Sequence, residues 1–323
     1  MRGVIQTLKV KARKRFARIV DKSLEILNLI ARWIDGPIVL YSIQSLPDKE
    51  NLIESPFRKS LNFDIAILLQ GPVNQNPEAT MRTVSMYRSY WPEVPVVIST
   101  WTSSDNEVIS NLRNLGAHIQ LSDEPKFSGN SNSNYQITST IAGLQYIEEL
   151  GSQLTLKTRV DQCLYNSRSL SLLKRMLQEY GDRIVTTDFN SFLFRLYSPN
   201  DQLMFSDTSM LQEFWNAAAQ KASFFEDIPG PVESKLLISF LNSRGIKVAE
   251  DLRSSLEVYR DLYAFVNYED LDLVWNKGSF RILRSRFPQE IYPSKISFVR
   301  NQDWLNLQNG LDDYLEDFSQ IKV

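Results

Sequence analysis

Cysteine and histidine are almost missing from this chain of 323 residues, with Cys163 and His118 the single examples of each. One cysteine excludes an intrachain disulfide and makes a reducing compartment the simpler reading. The two scarcities together exclude a protein-only zinc site of the usual Cys/His kind and any CxxC redox centre. A Ser-His-Asp hydrolase would have to use His118, which falls in the strand-like run Ala117 to Gln120, and no GxSxG elbow occurs. His118 therefore reads as structural. Long hydrophobic runs are also lacking: nothing approaches the roughly 20 apolar residues that span a bilayer. The best stretch, Ile34 to Ile43, is interrupted by Asp35, Gly36 and Pro37. The N-terminus lacks the basic–apolar–small order of a signal peptide, so a cytoplasmic location is expected.

A dominant charge is missing too. Lys plus Arg (36) nearly balances Asp plus Glu (38), and no nucleic-acid partner is expected. The distribution is less even. Residues 1–22 hold eight basic side chains against Asp21 alone. Residues 4–34 read as a basic amphipathic helix, with Phe16, Leu24, Leu27, Ile30 and Ile34 on an apolar stripe. Such a helix can rest on the anionic cytoplasmic face of the inner membrane; the plainer alternative packs its stripe on the core. Residues 44–60, with Pro47 and Pro56, read as a linker.

What is present in quantity is alternation. Asp64 to Leu69 is a buried-strand run ended by Gln70-Gly71-Pro72. Further strands are predicted over 95–100, 117–121, 154–161 and 183–187. Helices are predicted over 77–89, 107–115, 136–150, 208–220 and 231–243. This pattern predicts an α/β doubly wound, mainly parallel sheet flanked by helices, with a site at the strand C-terminal ends. The expected division is a helix and linker over 1–59, an α/β domain over 60–250, and a mainly helical C-terminal extension over 251–323.

Four places could carry chemistry. At Gln70-Gly71-Pro72, Gly71 lets a backbone approach a ligand and Gln70 offers an amide to a base or ribose; most such turns are only turns. On the fourth strand, Lys157, Arg159 and Asp161 share one face, opposite Leu154, Leu156, Thr158 and Val160. Three charges on an interior strand need compensation. A sugar-nucleotide diphosphate would supply it to Lys157 and Arg159, with Asp161 on a sugar hydroxyl or a divalent metal. The alternative is an edge strand with solvated charges or an Arg159–Asp161 pair. Third, the loop Ser128 to Gln136 is dense in amides. Asn132, Asn134 and Gln136 there could bind sugar hydroxyls or help a helix N-terminus hold an anion, where one capping residue would otherwise suffice. Glu233, after Pro229-Gly230-Pro231, is the candidate general base, with Asp201 and Asp207 as competitors.

Read together, these motifs resemble the WavE lipopolysaccharide synthesis family. The resemblance runs through Asp64 to Pro72, Ile98-Ser-Thr100-Trp101, Asn132 to Leu144, Leu156-Lys-Thr-Arg-Val-Asp161, Asp201 and Pro231-Val-Glu233, covering roughly residues 62–245. It implies a GT-A-like glycosyltransferase of lipopolysaccharide-core or capsule assembly. Its partners would be a nucleotide-sugar donor and a glycan or glycolipid acceptor. Donor binding is then expected at Gln70, Gly71, Pro72, Thr100, Asn132, Asn134, Gln136, Lys157 and Arg159, acceptor or sugar binding at Asp201, and catalysis at Asp161 and Glu233. In that fold an Asp-x-Asp usually holds a metal. Arg159-Val160-Asp161 stands in its place, so Mg²⁺ or Mn²⁺ on Asp161 remains open beside metal independence. The sequence departs from the family pattern at Tyr135, usually Arg, and at Gln202, usually Trp. A non-catalytic nucleotide-sugar-binding partner is the alternative function. A glycoside hydrolase using Asp161 and Glu233 is disfavoured by the nearby cations, which depress carboxyl pKa values.

If the basic helix binds membranes, a chain starting near residue 45 is expected to stay soluble and stop pelleting with anionic vesicles. Equal pelleting of both lengths would end that reading.

Overall fold

The computed structural model describes residues 64–193, 195–219, 227–275 and 298–319. The expected N-terminal helix and linker lie outside these residues. Among those described, no helix is long and apolar enough to cross a membrane.

The run Ile65–Gln70 forms β1, and every one of its residues is buried, as an interior strand requires. Asn76 then accepts a hydrogen bond from Ala79 N, and with Pro77 in the first turn it starts helix α1 (Pro77–Tyr90). β2 (Val96–Trp101) follows, and Asp105 caps α2 (Asn106–Asn114) by accepting from Glu107 N and Val108 N. β3 (His118–Ser122), α3 (Ser133–Glu149) and β4 (Leu154–Arg159) complete the first half. Then come β5 (Gln162–Leu164), α4 (Ser169–Tyr180), β6 (Ile184–Thr187), β7 (Met204–Asp207), α5 (Thr208–Ala219) and α6 (Val232–Ser243).

With β8 (Tyr263–Val266), seven strands among the described residues pair in the order β3-β2-β1-β4-β7-β6-β8, all parallel except β7. The mainly parallel sheet flanked by helices is the expected class. β4 is interior, between β1 and β7, so the edge-strand reading of its charges does not hold.

Among the described residues beyond 250 the chain is mainly helical, as expected, with α7 (Leu252–Leu262), α8 (Asn301–Asn309) and α9 (Leu311–Ser319). It also gives two strands that its composition had not suggested. β8 (Tyr263–Val266) extends the main sheet beside β6, and β9 (Leu273–Trp275) pairs with β5. Both are short and almost wholly buried, too brief to show a period of their own.

Helix α3 sits close on β1 and β2 because Gly143 faces them. A Cβ added there would press on the buried Leu68 side chain and lie 3.0 Å from Ser99 Cβ. In an open helix, Gly→Ala would gain about 1 kcal/mol. Here Gly143→Ala is expected to destabilise instead, by roughly 1–3 kcal/mol from overpacking. Urea denaturation measures it, and a gain in stability would contradict the packing argument.

Candidate functional site

Because β7 runs opposite to both β4 and β6, the carboxyl ends of the six other strands fall along one edge of the sheet. Side chains from β1, β2, β4, the start of α3 and the 188–202 segment meet there.

At β1, Gln70 pairs across the sheet with Ser99 and Arg159. It is buried and donates from Nε2 to Ser139 Oγ at 2.9 Å, while its Oε1 has no partner. Gly71 turns the chain at φ +130°, donates to Ser99 O, and would bring a Cβ to 3.2 Å from Val160 Cγ2. Few other residues fit that backbone. Pro72 leads into a short 3-10 turn, Val73–Gln75. Thr100, at the end of β2, is buried against Ser104 Oγ.

On β4, Lys157 is fully buried. Its Nζ donates to Asp201 O at 2.6 Å and stands 4.6 Å from the centroid of Trp215 on α5. Burial pushes the ammonium down to about 7, with the Asp201 charge pulling the other way. The cation expected on a diphosphate thus lies beneath the surface, holding the Asp201 segment in place. Arg159 is at the surface edge. It binds Asp161 through Nε and Nη2 at 2.8 and 3.0 Å, which is the pair left open by the sequence. Burial works against its charge, but Asp161 holds it above its ordinary value. The guanidinium lies 6.0 Å from the Trp275 ring, so β9 of the C-terminal segment walls this side.

The α3 loop behaves differently from a simple cap. Gly129, Ser131 and Asn132 all take positive φ, and Asn132 makes no side-chain capping bond. Asn134 is spent on the loop itself, donating to Phe127 O at 3.1 Å. Gln136 reaches across to Asp201 Oδ2 at 2.5 Å. The two departures from the family pattern are both engaged: Tyr135 stacks edge-on against Trp101 at 5.2 Å and donates to Glu124, and Gln202 accepts from Gln162 at 2.8 Å. Asp207 closes β7 at the far end, opposite Leu154, away from this edge. Glu233, in the first turn of α6, meets the edge through Asn190, whose Nδ2 donates to it at 3.0 Å.

Sequence reasoning missed Asp188 and Asn190. Asp188 follows β6 directly, accepts from Tyr268 N at 2.7 Å and is ion-paired with Arg300 at 2.7 Å, its side chain wholly buried. Burial raises its carboxyl to about 7 against the opposing pull of Arg300. Its position at a strand's carboxyl end was a usable signal, the same one that singled out Asp161. Cys163 is buried and its thiol is pushed up to about 12, which leaves it unreactive.

The donor set does not make a metal cage. Among the described residues no three His, Cys, Asp or Glu side chains gather, and the one carboxylate at the usual position is bound by Arg159. A divalent ion would have to come with a ligand's phosphates and rest on Asp161 beside that cation.

Residues 65–218 match the family described as WavE lipopolysaccharide synthesis, the resemblance already carried by the motifs. No curated protein sequence matches the chain. Among solved structures, the chain is similar to 4-diphosphocytidyl-2C-methyl-D-erythritol synthase from Anaerococcus prevotii, with 8% identity, a TM-score of 0.41, and coverage of 78% of this chain and 96% of that one. Core-mannan synthase A from Aspergillus fumigatus, in its Mn/GDP form, gives 9% identity and a TM-score of 0.37 over 63% of this chain and 74% of that one. A mannosyltransferase from Pyrobaculum calidifontis, in complex with GDP-Man and Mn²⁺, gives 9% and 0.34 over 63% and 54%. At such values these are distant likenesses, without bearing on substrate.

The two buried titrating groups set opposite pH slopes. Asp188 holds its proton more tightly when folded, so its contribution to stability falls as pH rises from about 4 to about 7. Lys157 holds its proton less tightly when folded, so its contribution rises with pH between about 7 and 10.5. Asp188→Asn is expected to flatten the first slope and Lys157→Met the second, measured by urea denaturation across pH. Unchanged slopes would show that neither group titrates as its burial requires.

Proposed function

We propose, from the match of residues 65–218 to the WavE lipopolysaccharide synthesis family, that this chain is a glycosyltransferase. It moves a sugar from a nucleotide-sugar donor to a lipopolysaccharide-core, capsule or related surface-glycan acceptor. The observation that carries the reading is the edge where Gln70-Gly71, the Arg159–Asp161 pair and the Gln136–Asp201 bond converge.

The residues divide the work as follows. A guanidinium has five N–H donors, and Asp161 takes two of Arg159's, so three remain for a donor diphosphate. Gly71 lets the nucleotide approach the backbone, and the partnerless Oε1 of Gln70 accepts from a base or ribose once the side chain turns outward. Asn132 and Gln136 present the donor sugar to the start of α3, and Asp201 holds a sugar hydroxyl. Lys157 takes no part in ligand contact: it sets the height of Asp201 by holding its carbonyl. In the transfer, an acceptor hydroxyl oxygen bonds to the anomeric carbon as the bond from that carbon to the phosphate oxygen breaks. The bonding pair leaves with the nucleoside diphosphate, and Glu233 takes the hydroxyl proton. A divalent metal, where the donor brings one, would neutralise phosphate charge beside Asp161.

A second reading has one observation in its favour. Tyr135 and Gln202, where the sequence leaves the family pattern, are both tied into contacts of their own. That suits a protein that binds a nucleotide sugar for an assembly partner without turning it over.

Thermal-shift measurements against a panel of nucleotide sugars, each with EDTA, Mg²⁺ or Mn²⁺, test the reading. Stabilisation by one donor is expected, with Arg159→Ala weakening it by about tenfold or more. Glu233→Gln is expected to keep donor binding and lower turnover by roughly 10²–10⁴. No shift with any donor would remove the proposal; a shift without turnover in the wild type would favour the binding partner.

A further inference from the structure

Residues 188–191 make a tight turn at the carboxyl end of β6, with Ser191 N donating to Asp188 O at 2.9 Å. The third residue of the turn, Asn190, stands at φ +67° and is 3% exposed. A positive φ at that position calls for glycine, which adopts it without strain, or for asparagine, which tolerates it. The backbone therefore gives no reason to prefer asparagine. The side chain gives one: Nδ2 donates to Glu233 Oε1 at 3.0 Å, reaching across to the first turn of α6.

Both ends of the turn are clamped. Asp188 N donates to Val266 O at 3.1 Å. The Asp188 carboxylate accepts from Tyr268 N and pairs with Arg300, each at 2.7 Å. At the other end, the Ser191 carbonyl accepts from Val299 N at 2.9 Å. The Ser191 hydroxyl accepts from Asn200 N and donates to Thr187 O, both at 2.8 Å. Ser234, next to Glu233, donates to Leu196 O at 2.7 Å, so α6 is fastened to this segment a second time. The same bonds place Glu233 by contact. Asn190 holds it, Ser191 holds Asn200, and the adjoining Asp201 meets Gln136 at the sheet edge.

A group that takes a proton must lie within hydrogen-bond reach of it, and small errors of aim cost much rate. Glutamate has three side-chain torsions, so a half-buried place on α6 does not by itself fix its oxygens. A donor on a clamped turn does.

We propose that Asn190 is a positioning residue of the transfer: its left-handed turn, clamped by the C-terminal segment, aims the Glu233 carboxylate at the acceptor hydroxyl. This rests on the glycosyltransferase reading, with Glu233 as its base. Asn190 itself touches no substrate.

The test is release of nucleoside diphosphate by the full chain from UDP-glucose, UDP-galactose, UDP-N-acetylglucosamine, GDP-mannose and the rest of the nucleotide-sugar panel, with water in the acceptor's place. The water oxygen bonds to the anomeric carbon as the bond from that carbon to the phosphate oxygen breaks. The bonding pair leaves with the diphosphate, and Glu233 takes a water proton. Asn190→Gly keeps the turn and deletes the amide. It is expected to lower kcat by roughly ten- to a hundredfold, the worth of a hydrogen bond to a charged group. The donor's KM and thermal shift should not change. Asn190→Asp, which keeps the shape and loses the N–H donor, should lose as much. Added to Glu233→Gln, the Asn190→Gly change should cost less than about twofold, because residues that act as a unit are not additive. Equal loss in both backgrounds, a raised KM, or full activity in Asn190→Gly overturns the proposal and leaves the transferase reading standing. No release by the wild type from any donor sinks that reading, and this proposal with it.

Discussion

The ammonium of Lys157 is the point on which the candidate site hangs. It is wholly buried in an interior strand, with the Asp201 carbonyl on one side and the Trp215 ring on another. A buried cation is costly unless its donors are used, and this one gives a hydrogen bond to the Asp201 carbonyl, fixing where the lead-in to the antiparallel strand β7 must lie. Asp201 is thereby held where Gln136 can reach it from the start of α3. Three elements distant in sequence are locked by one charge that the core would otherwise reject. Its depressed pKa means the lock loses its charge as pH rises through about 7, so packing around Trp215 has to share the task.

Around that anchor the edge is built as a network rather than as an open row of catalytic groups. Arg159 is paired with Asp161, Gln162 is bonded to Thr158 and Gln202, Asn200 to Thr187, and Glu233 to Asn190. Such mutual satisfaction costs little while no ligand is present. It also orients each side chain before binding, which a transfer reaction needs more than raw affinity. The C-terminal segment takes part in this, since Trp275 flanks Arg159 and Arg300 neutralises Asp188. The edge is thus closed from the side of the chain that lies outside the matched family region.

Much of the fold was legible in the sequence. The uniformly apolar Ile65–Leu69 run and the alternation of strands with capped helices named the doubly wound sheet, because an interior parallel strand and an amphipathic helix each leave a periodic trace. β8 and β9 left none: strands of four and three residues are too short for a period, and their pairing is made by contacts from elsewhere. Of the candidate edge, Gln70-Gly71, Arg159 and Asp161 were singled out from strand ends and charge placement, and Asp201 as a competing carboxylate and through the family resemblance. Asp188 carried the same kind of signal and was passed over, since its partner Arg300 lies 112 positions away in the chain.

By itself the sequence determined which strand carries the charges, which face they share, and which family the chain's motifs resemble. Alternation and local chemistry are properties of neighbours in the chain, and they survive without a fold. Only the tertiary structure decided that Lys157 turns inward to a backbone carbonyl while Arg159, two residues on and on the same face, stays at the edge with Asp161. The reason is physical: whether a charge is bound or buried depends on what the sheet order brings opposite it, and here β7 and α5 come from some fifty residues further along the chain.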